Sequence, residues 1–174
     1  MKPRLAALGA IALATVALAP PALADSGGGR RLPTLRARSV NSGPIVQHAP
    51  ACDATGQCIA SYSSPNTVSG DLTGTLAVEG LVHLVAGQPV ANQGNVQLFS
   101  GTVAGCGSGT FVVQLPLQPI SFVARSVSTG ASIVKGSGTG ELAGISGDAE
   151  EAFTPDPQGG GVGDLTFKIR CRAR

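Results

Sequence analysis

Apolar and polar residues alternate along much of the chain with a period of two. Leu165, Phe167, Ile169 and Cys171 fall on one face, and Asp164, Thr166, Lys168 and Arg170 on the other. In the same way Leu72, Leu76, Val78, Val82 and Leu84 oppose Thr73, Thr75, Glu79 and His83, while Phe111, Val113 and Leu115 alternate with Thr110, Val112 and Gln114. Successive side chains of a strand point to opposite faces, so this period predicts half-buried β-strands. After the N-terminal segment no apolar run at helical spacing escapes interruption by Gly or Pro. Eight strands are predicted, over about 43–48, 59–69, 72–85, 94–103, 109–115, 120–127, 131–136 joined to 139–143, and 163–171. Residues 146–153 form a further strand or half of a broken one.

The first residues follow a different pattern. Lys2 and Arg4 precede an apolar run over residues 5–19, followed by Pro20 and Pro21 and the small-residue group Ala22, Leu23 and Ala24. A positive, then apolar, then small-residue order is that of a cleaved signal peptide, here residues 1–24. The run is too short for a bilayer span, which needs about 20 apolar residues. The protein is therefore expected to be secreted, with no membrane span in the mature chain. Residues 25–42, rich in Gly and Arg, are expected to be a flexible leader. Residues 43–174 then form the single domain.

Many short antiparallel strands with tight turns make either a sandwich or a closed barrel. A barrel leaves no free edge, which a secreted, Val-rich chain has reason to avoid. Eight strands enclose an interior that side chains fill or that holds one small ligand. With no Trp, one Tyr and five Phe, the core must be built mainly from aliphatic residues.

Four cysteines, Cys52, Cys58, Cys106 and Cys171, all lie beyond the signal. An even count in an exported chain points to disulfides. A metal site would need different spacing and more partners than His48 and His83, so none is expected. Three pairings are possible. Asp53, Thr55 and Gly56 make the short loop between Cys52 and Cys58 easy to close, which leaves Cys106 for Cys171. Charge is unevenly placed: Arg30, Arg31, Arg36 and Arg38 stand near one end, Arg170, Arg172 and Arg174 at the other, and nine of the ten acids between Ser39 and Ile169. Such basic ends either serve solubility or touch an anionic surface or polymer.

Three stretches in order, SGDLTGTLAVEGLVHLV (69–85), FSGTVAGCGSGTFVVQL (99–115) and GSGTGELAGISGDAE (136–150), resemble a bacterial family of unknown function. That family is built on the allene oxide cyclase-like β-barrel, which plant dirigent proteins share. The resemblance covers roughly residues 60–171. It implies an all-β fold, a single antiparallel eight-stranded up-and-down barrel with a tapered, partly apolar lumen. Along such a path the turn after strand four and the end of strand eight meet at one rim. This places Cys106 beside Cys171 and Cys52–Cys58 at the opposite rim.

Candidate chemistry is sparse. Residues 138–143 match a dinucleotide fingerprint by letters, but no helix follows to face a pyrophosphate, so a glycine turn is expected. No cofactor and no nucleic-acid partner are expected. Asp71 and Glu141 are the weak catalytic candidates, with Glu79 and His83 considered beside them. The last two lie on a strand's polar face about 13 Å apart by strand rise, too far to share a proton. The reactions of allene oxide cyclases and dirigent proteins rest on lumen residues that do not align onto this chain. The expectation is a secreted, non-catalytic barrel that binds a small apolar molecule or acts as a structural module. The alternative is an isomerase or cyclase acting in the lumen, with Asp71 or Glu141 facing it.

Overall fold

The computed structural model describes residues 29–116, 120–121, 127–156 and 160–172. The expected signal peptide, together with Arg125 and Arg174, lies outside them. Eight antiparallel strands make the framework: β1 (Leu35–Asn41), β2 (Gln57–Gly70), β3 (Leu72–Val85), β4 (Gln88–Val103), β5 (Gly107–Gln114), β6 (Val127–Ile133), β7 (Ser146–Pro155) and β8 (Gly161–Cys171). Each pairs with the next, and β8 returns to β1 from Phe167 opposite Leu35 to Val162 opposite Val40. The sheet is thereby closed into the expected up-and-down barrel. Two-residue strands add to it: Arg30–Arg31 on β8, Val46–Gln47 and Ala51–Cys52 on β2, and Ile120–Ser121 on β4.

The strand count stands, but several assignments change: of the expected strand over 120–127, residues 122–126 lie outside the described residues, Ile120–Ser121 pairs with β4, and Val127 opens β6. The barrel begins at Leu35, inside the stretch expected to be a flexible leader, and not near residue 43. Leu35, Ala37 and Ser39 are buried while Arg36, Arg38 and Val40 face out, so β1 alternates like the others behind its arginines. Residues 46–47 form only a short bridge to Ser63 and Tyr62. Residues 146–155 are a complete wall strand, pairing with β6 and with β8. Finally, the stretch 139–143 is no strand; it carries a 3-10 turn at Gly140–Leu142.

This last segment solves a problem of the wall. β5 meets β6 through only two residue pairs, Gln114 with Ser132 and Val113 with Ile133. Below them the edge of β5 needs other partners, because unpaired backbone groups are costly wherever water is excluded. The loop before the 3-10 turn supplies them. Ser137 Oγ accepts the N–H of Val112 at 2.9 Å, Thr139 Oγ1 that of Thr110 at 3.1 Å, and a Glu141 carboxylate oxygen that of Ser108 at 2.8 Å. In return Thr139 and Val134 donate their N–H groups to the carbonyls of Thr110 and Val112. Three side chains spaced by two thus imitate a neighbouring strand. The approach is close enough that a methyl on Gly109 would meet the Thr139 carbonyl, and one on Gly138 the Leu142 carbonyl.

The loop also drops Leu142 and Ile145 into the lower end of the barrel, where both are buried. There they join Leu72, Val103, Phe99, Phe111, Phe167 and Ile169 in one apolar core. The ring of Phe111 lies 4.9 Å from that of Phe99 and 6.4 Å from that of Phe167, centroid to centroid. The lower lumen is accordingly filled by the protein's own side chains. A smaller apolar cluster of Cys58, Ala60, Val82 and Leu84 lies at the upper end, where β2 and β3 run on together.

Both cysteine pairs are bridged as expected. Cys106, in the β4–β5 turn, joins Cys171 at the end of β8 with Cα atoms 5.7 Å apart, and Cys52 joins Cys58 at 4.0 Å. The alternating path puts the first pair at the lower rim and the second at the upper one. At the upper bridge Asp53 accepts hydrogen bonds from Thr55 Oγ1 and from the N–H groups of Thr55 and Gln57, which hold its carboxyl below the ordinary aspartate range.

Two substitutions test the imitation strand. Glu141→Ala removes one acceptor and is expected to cost about 1 kcal/mol. Gly109→Ala pushes the loop off β5 and should cost several times as much by thermal or denaturant unfolding. Equal and negligible losses would show that the loop does not hold this edge.

Candidate functional site

Above the filled floor the inward face turns polar. Ser39 on β1, Ser64 on β2, and Asn95 and Gln97 on β4 are the buried polar side chains among the described residues. On β7, strand alternation sends Glu151 inward between Ala149 and Phe153 and leaves Glu150 exposed. Gln97 Nε2 donates to a Glu151 carboxylate oxygen at 2.9 Å. Since β4 and β7 stand three places apart in the ring, this bond crosses the interior. Gly163 on β8 leaves the room it needs: a methyl there would come within 2.8 Å of the other carboxylate oxygen. On the opposite wall Ser64 Oγ accepts from the amides of Asn41 at 2.7 Å and Asn66 at 3.3 Å.

Every other described Asp, Glu, Lys and Arg is exposed, so Glu151 is the one charged side chain drawn inward. Burial raises its pKa above the ordinary value of 4.5, and the hydrogen bond from Gln97, which favours the ionised form, opposes this. Two residues along β4, about 6.8 Å by strand rise, Asn95 shares the inward face. Its Oδ1 is buried and has no hydrogen-bond partner. Asn95 also lines an outer-wall groove of about 280 Å³, beside Glu79, Leu81 and Val96, where β3 is bulged between Gly80 and Val82. An inward carboxyl, an amide that positions it and an amide oxygen lacking a donor together suit a guest that offers N–H or O–H groups.

The residues singled out from the sequence lie elsewhere. Asp71 is exposed, and its carboxylate accepts the backbone N–H of Arg36 at 2.8 Å. Glu141 is exposed and braces β5. Glu79 is exposed on the outer wall; His83 is partly buried, and the register puts it opposite Ile59 and Ala91. None of the four joins the Gln97–Glu151 pair. The signal for Glu151 was present but faint: in the run Ala149, Glu150, Glu151, Ala152, Phe153 only the parity set by Ala149 and Phe153 tells the two glutamates apart. No group of three or more His, Cys, Asp or Glu among the described residues is placed to hold a metal, and no helix there is long and apolar enough to cross a membrane.

A family model described as a protein of unknown function, DUF3224, matches residues 42–161. The chain belongs to the DUF3224 family. A crystal structure of a DUF3224 protein of unknown function from Shewanella oneidensis MR-1 is similar to it, at 21% identity and a TM-score of 0.54, covering 83% of this chain and all of that one. The pterocarpan synthase dirigent protein GePTS1 is also similar, at 14% identity and a TM-score of 0.44, over 93% of this chain and all of that one. No curated protein matches the sequence. At such identities the likeness of the Shewanella DUF3224 protein speaks for the fold. The reading of the site rests on this chain's own geometry.

The Glu151 environment has a pH signature. A carboxyl with a raised native pKa binds its proton more tightly in the folded chain, so its stabilising contribution is full below the unfolded value near 4.5. It is lost as pH rises through the native pKa. Glu151→Gln keeps the shape without the charge. It should raise Tm relative to the parent at about pH 8 and change it little at about pH 4. A shift independent of pH would mean that the carboxyl is not desolvated.

Proposed function

We propose that this DUF3224 protein is exported by residues 1–24 and works outside the cytoplasm as a non-catalytic binding barrel. Its two disulfides suit an oxidising compartment. The single observation that carries the binding reading is the hydrogen bond from buried Gln97 to part-buried Glu151 above an apolar floor, with the unpartnered Asn95 oxygen on the same inner face. A guest of wholly apolar character is disfavoured, because the apolar part of the lumen is already packed with Phe99, Phe111 and Phe167. The better match is a small molecule with a short apolar body and a hydrogen-bond donor, either neutral or cationic. Glu151 supplies the inward charge, and all the described cations lie outside.

A second reading, an isomerase or cyclase of the lumen, keeps one support. Neither Asp71 nor Glu141 serves it, but a carboxyl with a raised pKa retains a proton that it can donate. Glu151 would be its acid.

Hexylamine, hexanol and hexanoate, which share a skeleton and differ in the head group, provide the test by calorimetry on the oxidised protein. Amine and alcohol are expected to bind more tightly than the carboxylate, and Glu151→Gln should abolish the preference for the amine. Tightest binding of hexanoate, or no binding of any of the three, would overturn the assignment. Conversion of an added epoxide that is lost in Glu151→Gln would decide for the catalytic reading.

A further inference from the structure

The two basic ends of the chain are one surface. Arg30–Arg31 pairs with the last turn of β8, Arg30 opposite Cys171 and Arg31 opposite Arg170, although some 140 positions separate them in sequence. Leu32 is buried just after this pair and donates its N–H to the Ile169 carbonyl at 3.1 Å. Cys171 is bonded in turn to Cys106. The arginines therefore stand on a braced rim and not on loose tails.

Arg30, Arg31, Arg170 and Arg172 are all exposed, and no described strand pairing sets a carboxylate opposite Arg30, Arg31 or Arg170. Arg31 and Arg170 face each other directly across the strand pair, an arrangement of like charges that is unfavourable in isolation. On its other side Arg170 meets Ser146, which offers no compensation. The cations further up the wall differ: Lys168 is opposite Asp148, and Arg38 opposite Asp164. Arg36, opposite Thr166, lies between the two groups. Asp53 and Asp156 lie toward the far end; at the arginine end the carboxylates are Asp71 in the β2–β3 turn and Glu141 beside Ser108, each accepting a backbone N–H, so the four arginines outnumber the acids there.

We propose that this rim binds a linear polyanion, whose closely spaced negative groups bridge the opposed arginines. The fit is to a polymer in preference to a lipid surface. None of the exposed large apolar side chains lies on residues 29–36 or 164–172, so this rim has nothing to insert into a bilayer. The proposal does not depend on the occupancy of the lumen.

Binding of the full oxidised chain to long-chain polyphosphate, read by fluorescence anisotropy at low and rising salt, tests it. Binding is expected to weaken steeply with salt, as displaced counterions require. The double variant Arg31→Gln/Arg170→Gln should weaken it at least about tenfold, while Arg38→Gln, about 20 Å up the wall by strand rise and opposite Asp164, should change it less than about threefold. Unchanged thermal melting of each variant separates lost binding from lost fold, and Arg172→Gln is a milder replacement if the double variant unfolds. The proposal is overturned if polyphosphate does not bind at low salt, or if the folded double variant binds like the parent. It is equally overturned if vesicles of phosphatidylglycerol bind as tightly with the same dependence on the arginines, since the partner is then a membrane.

Discussion

Closing a sheet on itself requires every strand to satisfy two edges, and in this barrel the edge of β5 is the difficult one. β6 covers two positions of it. Ser137, Thr139 and Glu141 cover the rest with side-chain oxygens set at the two-residue repeat of a strand. Intervening glycines let the backbone come close enough for those short side chains to reach. The same loop carries Leu142 and Ile145 into the floor, so satisfaction of the edge and filling of the core are one event. A motif that reads as a nucleotide fingerprint, and a glutamate that reads as an acid catalyst, are thereby accounted for as parts of the wall.

Closure then divides the interior into layers. Aromatic and aliphatic side chains fill the lower lumen, and the upper inner face carries amides, hydroxyls and one carboxyl. Burying a carboxyl is unfavourable unless it is paired or neutral. Glu151 has both remedies, a donor from Gln97 and a pKa moved toward the protonated form. A layer of this kind adds little to stability compared with well-packed apolar residues. Its presence together with the unpartnered Asn95 oxygen is what gives the upper lumen a chemical character. The neighbouring wall helps, because Gly163 on β8 leaves space for the carboxylate and Ser39 on β1 stands opposite Gly163.

The exterior is organised by the same register. Pairing of residues 30–31 with β8 turns two remote basic segments into one rim, and the Cys106–Cys171 bond ties that rim to the β4–β5 turn. Restraining a loop that spans 65 positions is worth about 4 kcal/mol in the chain-entropy view. The pairing of residues 30–31 with β8 holds the arginines near one another in spite of their repulsion.

Alternation by itself determined the class of fold, the span of β3, the course of β5 and β8, and the inward faces built on Leu72, Phe111 and Phe167. It did so because a two-residue period has one physical reading when one face must leave water. The cysteine pairing was likewise legible, once the strands were taken to run up and down. β1 was obscured because its outward positions hold arginines that look like a leader. The turn at residues 139–143 reads as a strand because its spacing copies one. Which glutamate of the adjacent pair turns inward, that Gln97 lies across the interior from it, and that Arg31 opposes Arg170 were decided only by the tertiary structure. Each depends on the order and register of strands far apart in the chain, and periodicity within a single strand carries no information about its neighbours.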